Sequence, residues 1–97
     1  MNYAFHSEAE AEFKHAINYY ESCAEGLGYD FAVEVYSTIE QIVACPKAWV
    51  ILEEEVRRCQ TRRFPYGVLY TEEPEGIFIL AVMHLHKNPD YWKHRLE

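Results

Sequence analysis

The sequence predicts an α+β fold: a helical hairpin packed on one face of a small, mainly antiparallel sheet, in the order β-α-α-β-β-β-α. Three observations carry this. Apolar residues recur at helical spacing before Pro46 and mostly at strand spacing after it. The two helical stripes are of similar length and meet at a Gly-containing turn, as in an antiparallel hairpin. Each stripe then needs a further apolar surface, and only the C-terminal half can supply one. At 97 residues the chain reads as one domain, 1–97. Its 49% hydrophobic and 26% charged composition is that of a globular chain.

Tyr3 and Phe5 alternate with Ala4 and His6, which predicts a brief first strand. Ser7 reads as a helix N-cap, with Glu10 completing a capping box. The stripe of the first helix is Ala9, Phe13, Ala16, Ile17, Tyr20, Ala24 and Leu27, ended by Gly26 and Gly28. A second helix is expected from Asp30, with the stripe Ala32, Val35, Tyr36, Ile39, Ile42 and Val43. It stops at Cys45-Pro46, because proline disfavours the helical conformation in the residue before it.

Trp49-Val50-Ile51-Leu52 is short and apolar, and suits either a strand or a buried turn. Val56 to Phe64 reads as extended and arginine-rich, broken by Pro65. Tyr66 to Thr71 is a strong strand, turning at Glu72-Glu73-Pro74-Glu75-Gly76. Ile77 to Val82 is apolar on both faces, the pattern of an interior strand. Asn88-Pro89-Asp90 predicts a final short helix, with Asn88 as its cap. Leu96-Glu97 reads as an appended dipeptide without a function.

Charge divides the chain. Residues 1–56 hold two basic and eleven acidic residues, and residues 57–97 hold seven basic and five acidic ones. A net charge of −7 argues against direct DNA binding by the chain alone and places any anion contact in the C-terminal part. No apolar run is long enough for a membrane helix. The first residues lack the basic-then-apolar pattern of a secretory signal. Three cysteines far apart, Cys23, Cys45 and Cys59, suggest reduced thiols serving as core fillers in a cytoplasmic protein. His84-x-His86 would set two imidazoles on one strand face, but no third ligand stands at metal-site spacing. No metal or cofactor is therefore expected.

Two motifs carry a resemblance. Arg63-Phe64-Pro65-Tyr66-Gly67-Val68-Leu69-Tyr70 resembles the RFPY-x-Φ-x-Y hairpin of RelE/ParE-type toxins. Ile79 to His84, followed by Lys87-Asn88-Pro89-Asp90-Tyr91-Trp92 and Arg95, resembles that family's closing strand and its H-x-x-R-x-P-x-Y-W-x-x-R ending. The resemblance implies the toxin of a bacterial type II toxin–antitoxin module of the plasmid-stabilisation kind, held inactive by a cognate antitoxin. Its target would be DNA gyrase if ParE-like. If RelE-like, it would be a ribosome-dependent mRNA endonuclease. A third alternative is an inactive relative that keeps only antitoxin binding.

Cleaving RNA through its 2′-hydroxyl needs a base, an acid and cations for the phosphate. Arg58, Arg62, His84, Lys87 and Tyr91 are the candidates for those roles. Arg57, Arg63, Tyr66, Trp92 and Arg95 are the candidates for partner binding. In the RelE-like enzymes a basic residue follows the hairpin tyrosine. Here that position is Gly67, which has no side chain to hold a phosphate. Gln60 stands neutral between Arg58 and Arg62, and Lys87 replaces the usual arginine, giving up its bidentate fork. These departures favour the ParE-like reading and the inactive relative over the endonuclease. The structural alternative is that His84 and Tyr91 pack the sheet end while the arginines solvate a strand or pair with the acidic helices.

Overall fold

Period-2 and period-3.6 segments must bury their apolar sides against one another. The computed structural model, which describes residues 2–96, does so with β1 (Asn2–Phe5), α1 (Ser7–Cys23), α2 (Leu27–Ala44), β2 (Val50–Glu53), β3 (Val56–Gln60), β4 (Tyr66–Glu73) and β5 (Gly76–His84). A 3₁₀ turn over Lys93–Leu96 follows. The fold is α+β, with the α1–α2 hairpin on one face of a five-stranded sheet ordered β1-β5-β4-β3-β2. All neighbours are antiparallel except β1 and β5. The short run after Trp49 is a strand, which adds a member to the expected sheet. The expected final helix is reduced to turns plus the 3₁₀ segment, with Asn88 Oδ1 accepting from the Asp90 amide at 3.0 Å. The dipeptide reading extends to Glu97, which lies outside the described residues.

The helix ends differ from expectation in an instructive way. Ser7 is the first helical residue, and the cap is His6, whose Nδ1 accepts from the Glu8 amide at 3.0 Å. The helix α1 stops at Cys23, and Leu27 belongs to α2. Gly26, at φ 84°, precedes α2 without a capping side chain of its own. The carboxylate of Glu21 on α1 reaches across instead, accepting from the Gly26 and Gly28 amides at 3.0 Å each. It meets both the orphan donors and the positive end of the α2 dipole. Gly28 also allows a close approach of the two helices, since a Cβ there would lie 2.6 Å from the Ile17 carbonyl oxygen.

One core lies between the helices and the sheet. It unites Phe13, Phe31, Val35, Ile39 and Ile42 with Val68, Tyr70, Ile77, Ile79 and Val82. Fully burying each large aliphatic or aromatic side chain is worth about 1.5–3 kcal/mol. Phe31 is buried, whereas Tyr36, counted in the expected stripe, is 46% exposed with its ring edge-on to Phe13. On the sheet's other face Val56, Leu69, Leu80, Ala81 and Met83 pack with Trp92 of the C-terminal segment. A register shift makes this two-sided burial possible. Leu69 opposes Ala81 while Tyr70 opposes Ile79, so Leu80 is extra and the alternation of β5 changes phase. Of the cysteines only Cys59 is buried; Cys23 and Cys45 are exposed on helix ends and are not core fillers. Among the described residues no helix is long and apolar enough to cross a membrane.

Candidate functional site

The strand β1 covers β5 only as far as Ile79, and the His6 amide makes the last bond, to the Ile79 carbonyl. Beyond it β5 would present bare backbone. Glu12 and Arg95 close this gap. The Glu12 carboxylate accepts from the Val82 amide at 3.2 Å, and Arg95 Nη1 donates to the Leu80 carbonyl at 3.1 Å. The two side chains form a bidentate pair at 2.8 and 3.0 Å, with the Arg95 side chain only 5% exposed. Tyr91 Oη also donates to Glu12. Burial, reinforced by that carboxylate, pushes the Tyr91 phenol well above its ordinary range. Lys87 Nζ sits 4.4 Å from the centroid of the Tyr91 ring. Outside this knot, His94 bonds Glu8 and holds its carboxyl below the usual value.

This geometry redistributes the residues singled out in the sequence. Tyr91 and Arg95 are engaged by Glu12, and Trp92 is 2% exposed beneath the sheet. Trp92 and Arg95 therefore offer no surface to a partner in this structure. Burial of the indole and the bidentate carboxylate give both residues an internal task. Arg57 is also turned inward, donating from Nη1 to the Lys47 and Trp49 carbonyls at 3.0 and 2.8 Å. Tyr66 is half-buried in an aromatic cluster, its ring 4.9 Å from Phe31 and 5.2 Å from His84.

The five ribonuclease candidates do not converge as a set, although Lys87 and Tyr91 adjoin each other. His84 pairs in register with Tyr66 and shares the helix-facing side of the sheet. Arg58 lies on the opposite side, where its stem covers Gly67. A Cβ on Gly67 would meet Arg58 Cδ at 2.9 Å. The missing side chain at position 67 thus makes room for Arg58. The two imidazoles do lie together, ring centroids 5.3 Å apart, but across a turn and not on one strand face, because β5 ends at His84 and the His86 amide turns back to donate to His84 Nδ1. Among the described residues no group of His, Cys, Asp and Glu suits a metal ion.

Two exposed features remain. The first is a groove of about 420 Å³ between α2 and the segment after β3, bordered by Tyr29, Val33, Gln60, Arg62 and Arg63. Its shape is fixed by Glu34, which accepts from the Arg63 amide at 2.7 Å and the Phe64 amide at 3.4 Å. Arg63 faces Asp30 at 3.9 Å, whereas exposed Arg62 has no ion pair among the described residues. Tyr29 and Val33 are 72% and 48% exposed, one turn apart on α2. The second is β2, which ends the sheet with Val50 and Ile51 more than half exposed. Sequence reasoning found the arginines but missed Tyr29 and Val33. Their four-residue spacing outside the buried stripe was the available signal. No protein-family model matches the chain, and no curated protein does so either.

Proposed function

We propose that the chain is the toxin of a bacterial, cytoplasmic type II toxin–antitoxin module. It resembles the ParE-like branch of the RelE/ParE-type toxins and acts by protein binding rather than by cutting RNA. DNA gyrase is the target on this reading, and a cognate antitoxin neutralises the toxin. The observation that carries the preference for binding is the separation of the candidate catalytic groups. Arg58 lies on one side of the sheet and His84 on the other, and the Tyr91 phenol is committed to Glu12. A phenol with a raised pKa is a poor proton donor near neutrality.

The α2 groove suits an amphipathic antitoxin segment carrying acidic residues. Exposed Tyr29 and Val33 supply apolar contact and Arg62 an unpaired cation. Inducing the protein and following DNA supercoiling and translation separately tests the reading. Supercoiling should change first, and Arg62→Ala and Val33→Asp should weaken capture by the product of an adjacent antitoxin gene. Codon-specific mRNA cuts on ribosomes that vanish in Arg62→Ala or His84→Ala would establish the endonuclease instead.

A further inference from the structure

The strand β2 is an incompletely blunted edge. Natural edge strands are blunted by shortness, charge, proline, a bulge or a covering segment. The strand β2 is short and its register shifts between Ile51 and Glu53, but Val50-Ile51-Leu52 carries neither charge nor proline, and these residues are 58%, 57% and 36% exposed. The charges lie at its two ends and differ in sign. Register places Val50 opposite Arg58, and the chain beyond Arg58 leads through Gln60 to Arg62, which borders a hollow with Trp49 and Val50. At the other end Glu53 opposes Val56, with Glu54 and Glu55 forming the exposed turn between them. Glu53 is paired with Lys93, but Arg62, Glu54 and Glu55 have no ion-pair partner among the described residues.

We infer that β2 is a self-pairing edge: two copies of this chain join antiparallel through their β2 strands about a two-fold axis near Ile51. Antiparallel pairing reverses one strand relative to the other. The basic end of one copy then meets the acidic turn of its mate twice, Arg62 against Glu54 and Glu55, while the apolar centres meet each other. Such an interface is isologous and closes on itself, leaving no free β2 edge. Four residues form a short contact, so the dimer is weak and concentration-dependent. Each copy carries a net charge of −7, and general repulsion opposes association. The complementary strand ends offset it locally.

Sedimentation of the purified chain over a concentration series tests this. The wild type should dimerise, and Ile51→Lys, which brings two lysines face to face at the axis, should weaken the dimer at least about tenfold. Because Ile51 is exposed, circular dichroism and the denaturant midpoint should not change. Arg62→Glu alone and Glu54→Arg/Glu55→Arg alone should each favour monomer, and mixing the two should restore a heterodimer. A wild type that stays monomeric up to about 1 mM overturns the inference. So does a dimer indifferent to Ile51→Lys, or charge variants that do not rescue each other. An edge protected from amide exchange only when a foreign extended peptide is added would also overturn it. Ile51 is not part of the α2 groove, so loss of self-pairing and loss of antitoxin capture are separable results.

Discussion

The two sides of the sheet treat unpaired backbone in opposite ways. Where β1 ends, the exposed half of β5 is sealed by Glu12 and Arg95, a buried pair that also captures Tyr91. At the far side β2 is left open, short and apolar. A buried charge pair is poor value as a stabiliser compared with apolar packing, but it is good at satisfying backbone in one geometry. The sealed edge is thus committed to the fold, and the open one is available to another chain.

The contrast breaks most sharply at Arg95. Arg95→Ala strands the Glu12 carboxylate beside unsatisfied backbone and should cost about 3–5 kcal/mol, read as a lowered urea midpoint. Ile51→Lys at the open edge should stay within about 0.5 kcal/mol. Equal effects would mean that the two edges do not differ. Ile39→Ala, in the helix–sheet core, should cost about 2–5 kcal/mol and give the scale for ordinary packing. Ile17→Ala should cost less, because Ile17 is only partly buried.

Nearer the open side, Gly67→Ala must push back the Arg58 stem and should cost about 1–3 kcal/mol. Arg58→Ala should remove most of that penalty, measured as a double-mutant cycle.

A further effect is confined to high pH. Burial pushes the Tyr70 phenol up to about 12, and its hydroxyl donates to the Pro46 carbonyl. Its ordinary value is 10.0. Its contribution is fully present below pH 10 and is lost between pH 10 and 12, as the unfolded chain ionises first. Tyr70→Phe should flatten part of that decline in a pH series of melting temperatures, with the other raised phenols, Tyr91, Tyr66 and Tyr20 among them, contributing to the rest.

Local patterns were legible where one residue's environment is set by its own element. Phe13, Ala16, Val35, Ile39 and Ile42 face the core as their spacing predicts, and Ile77 to Val82 lies inside the sheet. What escaped was set by distant partners. Glu21 caps α2 from another helix, and nothing local distinguishes it from a solvated glutamate. Glu12 reads as one more acidic residue in an amphipathic helix until Arg95, 83 positions away, arrives beside it. Gly67 reads as a lost phosphate contact, whereas its neighbour across the ladder explains it as packing. The candidate catalytic set was a list of suitable side chains, and its two strand residues, Arg58 and His84, fall on opposite faces of the sheet.

The pairing of β1 with β5 also constrains the order in which this molecule can be assembled during synthesis. The strand β1 is made before its hydrogen-bonded partner, Gly76–Ile79, which lies more than 70 positions later. The α1–α2 hairpin can form as a nascent unit, but its Glu12 waits for Arg95. Long-range pairings of this kind slow folding, because chain closure precedes the contacts that reward it. The closed sheet therefore forms only after Gly76–Ile79 and Arg95 have both been made.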